Sequence, residues 1–206
     1  FDELLTEEVN IPLTEAQQVV YGPIQDAMNS HEHKTFLLHG VTGSGKTQLY
    51  LRATARCISQ DKTAIILVPE IILTDQIVRR FVETFGDEVV VFHSKLTVQQ
   101  RNNNWERLRR KDSHIIIGAR SAVFAPAEDI GLIVVDEEHD TSYKQEDMVR
   151  YHARNVALWR AEAHGCPVIL GSATPSVTSY YKAKQGEYHL LELPHRIFDQ
   201  PMPKVS

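Results

Sequence analysis

The segment Gly40–Thr47 constrains this chain most, because its sequence GVTGSGKT matches the pattern G-x-x-x-x-G-K-[ST]. A short apolar run, Phe36–Leu38, precedes it and is predicted to be a buried strand. Gln48–Ser59 follows it and is predicted to be a helix. Because a phosphate-binding loop requires this strand–loop–helix order, the segment predicts a nucleotide site. The alternative is a glycine-rich turn that binds no ligand.

The residue types in this loop suit the phosphates of ATP. Glycines let the backbone turn tightly and direct successive N–H groups at phosphate oxygens, helped by the positive end of the following helix. Lys46 is expected on the β- and γ-phosphates, and the Thr47 hydroxyl on Mg²⁺. We therefore predict ATP and Mg²⁺ as cofactors, with the nucleotide bound by Gly40, Thr42, Gly43, Ser44, Gly45, Lys46 and Thr47.

A second group of polar residues follows an apolar run in Leu132–His139, with the sequence LIVVDEEH. In open α/β sheets, ligands bind at the carboxyl ends of the strands. A carboxylate there can hold Mg²⁺ against the phosphates, which assigns Asp136, and its neighbour Glu137 can orient and deprotonate the attacking water. The predicted catalytic residues are Lys46, Asp136 and Glu137, with Thr47 and Asp136 on the metal. The alternative is an acidic surface turn.

Composition limits the remaining possibilities. A chain of 206 residues with 42% hydrophobic content can form one α/β domain with a single core. No apolar run reaches membrane-spanning length, so a membrane partner is not expected. Cys57 and Cys166 lie in apolar contexts and are predicted to be reduced core residues. The net charge of −5 gives no overall basic footprint, although the basic run Arg101–Lys111 could face either DNA or solvent.

Apolar runs alternate with helical patterns from Lys34 onward, which predicts a three-layer α/β fold with a mainly parallel sheet. Strands are predicted at Thr35–His39, Thr63–Val68, Glu88–Phe92, His114–Gly118, Gly131–Val135, Pro167–Gly171 and Tyr188–Leu191. Helices are predicted at Gly45–Gln60, Ile71–Phe85, Thr97–Lys111, Tyr151–Ala163 and Ser176–Lys184. An earlier helix opens at Pro12–Gln17, where Thr14 and Gln17 have capping-box spacing, and Gly22-Pro23 should kink it or break it in two.

Three short motifs resemble those of the superfamily-2 helicases. The acidic cluster Asp136–His139 looks like their motif II, Gly171–Ser176 (GSATPS) like motif III, and Leu13–Gln17 like the adenine-reading Q motif. Longer strings resemble the first RecA-like lobe of the bacterial replication-restart helicases: LVPEIILTDQ (Leu67–Gln76), GARSAVFAP (Gly118–Pro126), VVDEEHDTSYKQ (Val134–Gln145), RYHAR (Arg150–Arg154) and LGSATPS (Leu170–Ser176). The resemblance extends from about Pro12 to Arg196 and implies a RecA-like P-loop NTPase domain.

The resemblance implies further roles. Gln17 would read the adenine base, although its capping role could also explain it. His139, Ser172 and Thr174 would couple the nucleotide site to DNA, unless they are ordinary polar loop residues. Arg120 and Ser121, with the loop Pro69–Thr74, would contact the DNA backbone.

The segment Thr141–Arg154 resembles the aromatic-rich loop of these helicases. Its mixture of rings and cations suits single-stranded DNA, because bases stack on rings and cations follow the backbone. The tryptophan expected just before Arg150 is absent, and Met148-Val149 stands there instead. Stacking is then left to Tyr143 and Tyr151, unless these tyrosines pack against the domain. The predicted DNA contacts of this loop are Tyr143, Lys144, Arg150, Tyr151 and Arg154.

The resemblance also implies an organisation and partners. Residues 1–33 are expected to form an N-terminal segment, 34–196 the ATP-binding lobe, and 197–206 a linker toward a second RecA-like lobe. Because that lobe would supply arginines to the ATPase site, the isolated chain is expected to bind nucleotide weakly, hydrolyse little and unwind nothing. Zinc is expected only elsewhere in the intact protein.

The expected partners are single-stranded and forked DNA, primosome proteins and single-strand-binding protein, in the bacterial cytoplasm at the nucleoid. Two alternative hypotheses of function also fit the sequence. One is another superfamily-2 translocase, such as a RecG-like or restriction-type motor. The other is a nucleotide-gated DNA-binding module, which would not need the water-activating Glu137.

Overall fold

A computed structural model describes residue 9 and residues 11–70, 76–146 and 150–196. In this part of the chain the strands are β1 (Thr35–Gly40), β2 (Thr63–Leu67), β3 (Val89–Phe92), β4 (Ile115–Gly118), β5 (Ile130–Val135), β6 (Lys144–Gln145), β7 (Tyr151–His152), β8 (Val168–Ser172) and β9 (His189–Leu193). Seven of them form one sheet in the order β3-β4-β2-β5-β8-β1-β9, and every pair is parallel. The remaining two, β6 and β7, form an antiparallel pair, so the helix predicted to begin at Tyr151 begins instead at Ala153.

The described helices cover both faces of this sheet. They are α1 (Glu15–Ser30), α2 (Lys46–Ser59), α3 (Gln76–Phe85), α4 (Val98–Arg109), α5 (Ala153–His164) and α6 (Val177–Lys184), with 3₁₀ turns at Gly86–Glu88, Arg120–Phe124 and Thr141–Tyr143. The predicted three-layer α/β fold with a parallel sheet is therefore confirmed. Within the described residues, no helix combines the length and apolar character that crossing a bilayer would require.

Each face of the sheet has its own hydrophobic core. Successive residues of a strand point to opposite faces, so Ala64 and Ile66 of β2 join one core while Ile65 and Leu67 join the other. Helices α1, α2 and α3 cover the first core, and α5 contributes Ala153, Ala157 and Ala161 to the second. Because both faces are buried, the strands need the nearly continuous apolar runs that the sequence shows.

Helix α1 differs from the sequence prediction at Pro23. The helix is one continuous element from Glu15 to Ser30 with Pro23 inside it, so of the two predicted alternatives the break into two pieces is wrong, and the kink stays a prediction. The capping box at Thr14 and Gln17 holds its first turn, as expected. Buried side chains on both sides of the proline, including Val20, Tyr21, Ile24, Ala27 and Met28, fix the helix against the sheet. Tertiary packing thus outweighs the lost backbone hydrogen bond.

Candidate functional site

The loop between β1 and α2 leaves backbone N–H groups available to an anion. Strand β1 ends at Gly40 and helix α2 begins at Lys46. The N-cap residue Gly45 has φ 86°, and no side chain caps the helix. The first N–H groups of a helix have no acceptor within the helix, so here they are left for an external ligand. This geometry suits a phosphate oxygen.

Side chains of the loop support the same conclusion. The Lys46 ammonium donates to the Gly40 carbonyl at 2.6 Å, which holds its charge against the loop. Ser44 Oγ is buried and has no hydrogen-bond partner among the described residues. A buried hydroxyl without a partner is costly, and a bound phosphate would supply the acceptor it lacks. Thr47 is half-buried on the first turn of α2, whereas Thr42 is exposed at the rim.

The acidic cluster lies at the same edge of the sheet. Strand β5 ends at Val135, and only β8 separates it from β1. The Asp136 N–H donates to the Leu67 carbonyl of β2 at 2.9 Å, which fixes the residue at the strand end. Burial, followed by the neighbouring Glu137 carboxylate, raises the pKa of Asp136 to about 6. A partly buried carboxyl group with a raised pKa suits a site completed by a cation.

Tyr50 joins the two halves of the site, and sequence reasoning missed it. This fully buried residue of α2 donates its hydroxyl to Asp136 Oδ1 at 3.0 Å. Its position four residues after Lys46 places it one helical turn further on, which is the only signal the sequence offers. The side chain orients the carboxylate that is expected to hold Mg²⁺.

Glycine at position 171 is required by Tyr50. A Cβ atom at Gly171 would lie 1.7 Å from the Tyr50 hydroxyl oxygen and 3.0 Å from Cζ. We expect Gly171→Ala to destabilise the fold by about 1–3 kcal/mol, because the ring cannot move without leaving Asp136. The change is measured as the free energy of unfolding in urea.

The control for that prediction removes the clashing atom. Tyr50→Phe alone should cost about 1 kcal/mol, because it removes one hydrogen bond. In the double variant Gly171→Ala with Tyr50→Phe, we expect much of the alanine penalty to disappear, since the hydroxyl oxygen is gone. Strictly additive effects would contradict the proposed contact.

Glu137 has an uncommon backbone conformation. Its φ is 44°, in the left-handed region that non-glycine residues rarely adopt. Its side chain is 28% exposed, and Oε2 lies 3.6 Å from His139 Nδ1. Strain of this kind recurs at functional sites, where the surrounding structure holds it in place. Because the Glu137 side chain is 28% exposed, its carboxylate is accessible next to Asp136, as a water-activating group requires.

The three residues predicted to couple the site to DNA lie together. His139 Nδ1 is 2.8 Å from the hydroxyl of Ser172, which is buried at the end of β8. The Thr174 N–H donates to the same hydroxyl at 2.9 Å, and Thr174 Oγ1 lies 3.4 Å from His139 Nε2. These contacts connect the acidic cluster after β5 to the loop after β8.

A buried ion pair forms a second connection between the same loops. Glu138 is fully buried, and Arg154 Nη1 lies 2.5 Å from its Oε2. The Ser176 N–H donates to Glu138 Oε1 at 2.6 Å, and the Ser179 hydroxyl donates to Oε2 at 2.9 Å. Burial alone would raise the pKa of Glu138, but the Ser176 N–H, Arg154 and Ser179 lower it below its usual range. The sequence analysis missed the roles of Glu138, Ser176 and Ser179.

Gln17 keeps both of its predicted roles open. Its Oε1 accepts from the Thr14 N–H at 3.0 Å, which is the capping contact. Its Nε2 is buried and has no partner among the described residues. The two N–H groups of this side-chain amide are therefore left for another acceptor. An adenine ring nitrogen would be such an acceptor.

The predicted DNA contacts separate into exposed and buried residues. Ser121, Lys144 and Arg150 are exposed, and Arg120 and Tyr151 are half-buried. Tyr143 is fully buried, and its hydroxyl donates to the Asp136 carbonyl at 2.6 Å. A base cannot stack on a ring that is 0% exposed, and Arg154 is held by Glu138. In this structure neither Tyr143 nor Arg154 is available to DNA.

Some expectations fall outside the described residues. They include residues 71–74 of the loop Pro69–Thr74, the pair Met148-Val149, and the segments 1–8 and 197–206. Cys57 and Cys166 are buried free thiols, as predicted. Across the described ranges, no cluster of three or more His, Cys, Asp or Glu residues could hold a metal ion without further ligands.

Comparisons with known proteins agree with this geometry. The family model for DEAD/DEAH box helicases matches residues 14–182. The chain is 50% identical to replication restart protein PriA of Bacillus subtilis over 205 residues, which is 100% of this chain and 26% of the relative. It is 44% identical to that of Treponema pallidum over 84% of this chain and 26% of the relative. The chain thus spans about a quarter of the length of the curated relatives it matches.

Solved structures share the fold. RecG bound to a three-way DNA junction gives a TM-score of 0.68 at 23% identity, covering 99% of this chain and 26% of that one. The Pyrococcus furiosus Hef helicase domain gives a TM-score of 0.59 at 18% identity, covering 86% of this chain and 37% of that one. With its family match, its sheet order and the site at its carboxyl edge, the chain belongs to the DEAD/DEAH box helicase family.

Proposed function

We propose that this chain is the ATP-binding motor lobe of a PriA-type DNA helicase that opens forked DNA during replication restart. One observation carries the proposal. The phosphate loop after β1 and the acidic cluster after β5 lie at one sheet edge, on either side of β8, and Tyr50 bridges them at 3.0 Å from Asp136. The identity to PriA proteins over most of the chain supports the particular type of helicase.

The phosphate-binding residues act mainly through charge and position. Lys46 would release the Gly40 carbonyl and turn its ammonium group to the β- and γ-phosphates. The helix start at Gly45 would direct N–H groups at the same oxygens. Thr47 and Asp136 would hold Mg²⁺, and Tyr50 keeps the Asp136 carboxylate in place. When bound, the ion neutralises charge that develops on the phosphate oxygens.

Glu137 is proposed to act on the attacking water. Its carboxylate is partly exposed next to Asp136 and is held by the strained backbone after β5. A carboxylate within hydrogen-bond reach can orient the water and accept its proton. A module that used ATP only as a switch would not need this group, so Glu137 favours hydrolysis over simple gating.

DNA binding is proposed at the loops that leave the same edge. Ser121, Lys144 and Arg150 are exposed there, and Arg120 Nη1 donates to the Lys144 carbonyl at 2.8 Å. This contact connects the 3₁₀ turn after β4 to the segment Thr141–Arg154. His139, Ser172 and Thr174 would transmit the nucleotide state toward these loops.

The rest of the proposal concerns the whole protein. A second RecA-like lobe in the same chain would complete the ATPase site with arginines. Zinc would belong to another module, and primosome proteins and single-strand-binding protein would be partners at the fork. The protein would work in the bacterial cytoplasm on the nucleoid.

Glu137→Gln tests hydrolysis in the full-length protein. We expect turnover with DNA present to fall by roughly 10²–10⁴, because the amide cannot accept the proton. Nucleotide affinity should stay unchanged, since the phosphate loop is intact. Phosphate release gives the turnover, and a fluorescent ATP analogue gives the affinity.

The matched control is Glu128→Gln, an exposed residue just before β5 at the opposite edge of the sheet. It should leave both quantities unchanged. Wild-type turnover in Glu137→Gln would remove the proposed role. Absence of DNA-dependent phosphate release in the wild-type protein would instead favour the gated module.

A further inference from the structure

A small pocket at the carboxyl edge of the sheet has no role in the proposed ATPase site. It encloses about 70 Å³ between the end of β3, the first turns of α4 and the 3₁₀ turn after β4. Trp105 and Phe124 line it, together with His93, Arg101 and Ser121. None of the described residues that line it is acidic.

Both aromatic side chains are exposed. Trp105 is 44% and Phe124 is 53% exposed, whereas neighbours of Phe124 such as Ala122 and Val123 are buried. Exposed large rings at one site mark a surface that meets a ligand. Trp105 and Phe124 therefore differ from the rings of the hydrophobic cores.

Polar contacts fix the backbone next to these rings. Arg160 of α5 donates to the carbonyls of Val123, Ala125 and Ala127, which fixes the turn that carries Phe124. The Asn104 side chain donates to the Val91 carbonyl of β3 at 3.0 Å, next to Trp105. A ring carried on a backbone that is already fixed loses less entropy when it binds a flat partner.

The surroundings are continuous with the proposed DNA face. Tyr151 packs against Phe124 in a T-shaped pair with ring centroids 4.9 Å apart, and 53% of Phe124 remains exposed beside it. Arg101 is exposed on the pocket rim, and Ser121 belongs to the string already proposed to contact the DNA backbone. Rings beside cations are what single-stranded nucleic acid binds.

We propose that Phe124 and Trp105 form a stacking surface for bases of single-stranded DNA. The pocket is too small to enclose a base, so a base would stack on the exposed rings while Arg101 meets the backbone. These rings would supply the stacking contact that the absent tryptophan of the aromatic-rich loop and the buried Tyr143 do not. This inference rests on the proposed DNA-binding function.

The test compares intact and abasic DNA in the full-length protein. Binding of an oligo(dT) strand and of the same strand with abasic sites is measured by fluorescence anisotropy with a non-hydrolysable ATP analogue. We expect Phe124→Leu to weaken oligo(dT) binding roughly fivefold or more, because stacking on a ring is lost. Binding to the abasic strand should stay unchanged, as should the dependence of affinity on salt, since no charge is removed.

Three further variants sharpen the result. Trp105→Leu should behave like Phe124→Leu, and Phe124→Tyr should restore wild-type discrimination because it keeps the ring. The matched control is Trp159→Leu, a residue 68% exposed on α5 that does not line the pocket, and it should bind both strands normally. Melting temperatures of all variants exclude misfolding as the cause.

The outcomes separate this inference from the function it rests on. Wild-type discrimination in Phe124→Leu and Trp105→Leu, with normal DNA-stimulated ATPase, would overturn the stacking surface alone. Equal losses on both strands would also overturn it, since a lost base contact cannot weaken abasic binding. A wild-type protein that binds neither strand would overturn the proposed function itself.

Discussion

Lys46→Ala in the full-length protein is expected to reduce ATP turnover by roughly 10²–10³ or more while leaving most DNA binding intact. The ammonium group donates to the Gly40 carbonyl at 2.6 Å, and its loss removes a preorganised positive charge from the proposed site of phosphoryl transfer. DNA binding should persist because Ser121, Lys144 and Arg150 lie on other loops. Phosphate release and anisotropy with a labelled oligonucleotide measure the two effects.

Lys34→Ala is the matched control for this change. Lys34 lies just before β1, at the opposite end of the strand that leads into the phosphate loop, and pairs with Glu32 at 2.7 Å on the surface. Its loss should alter neither turnover nor DNA affinity. Turnover near the wild-type value in Lys46→Ala would contradict the assignment of the whole loop, because that charge could then have no part in the reaction.

The strand–loop–helix order around Gly40–Thr47 and the seven strands of the main sheet could be predicted from sequence because their signals are local, whereas the two-residue strands β6 and β7 could not. The glycines and Lys46 stand within eight residues, and each predicted strand is a single apolar run. The parallel sheet follows from those runs, since only strands buried on both faces need them. The break expected at Pro23 was wrong for the same reason, because the local effect of proline was weighed without the packing that holds α1.

The parts that escaped prediction depend on contacts between distant residues. Tyr50 and Asp136 are 86 positions apart in the chain, and nothing near Tyr50 indicates its partner. Tyr143 is an aromatic residue in the aromatic-rich loop, as a stacking residue would be, but its hydroxyl donates to the Asp136 carbonyl and its ring is buried. Whether a polar or aromatic side chain in a loop faces solvent is decided by tertiary packing, which motif spacing does not contain.

Arg154→Ala is expected to destabilise the fold by about 3–5 kcal/mol, because it leaves the Glu138 carboxylate buried without its cation. Glu138 is 0% exposed, and Arg154 also donates to the Ser176 hydroxyl at 2.9 Å. The free energy of unfolding in urea measures the loss. If Arg154 were instead a phosphate contact, its removal would weaken DNA binding, lower the salt slope by about one and hardly change stability.

Two further variants distinguish a buried partner of Glu138 from a phosphate contact. Arg109→Ala breaks an exposed pair with Glu106 at 3.1 Å and should cost only about 0.2–1 kcal/mol. Adding Glu138→Gln to Arg154→Ala should recover much of the stability, because a neutral amide oxygen can still accept from the Ser176 N–H without burying a charge. If Arg154 is a buried partner of Glu138, the double variant should lose much less free energy of unfolding than the sum of the two single losses. Additive changes in the free energy of unfolding, or a loss no greater than that of Arg109→Ala, would contradict this role and favour the predicted DNA contact of Arg154.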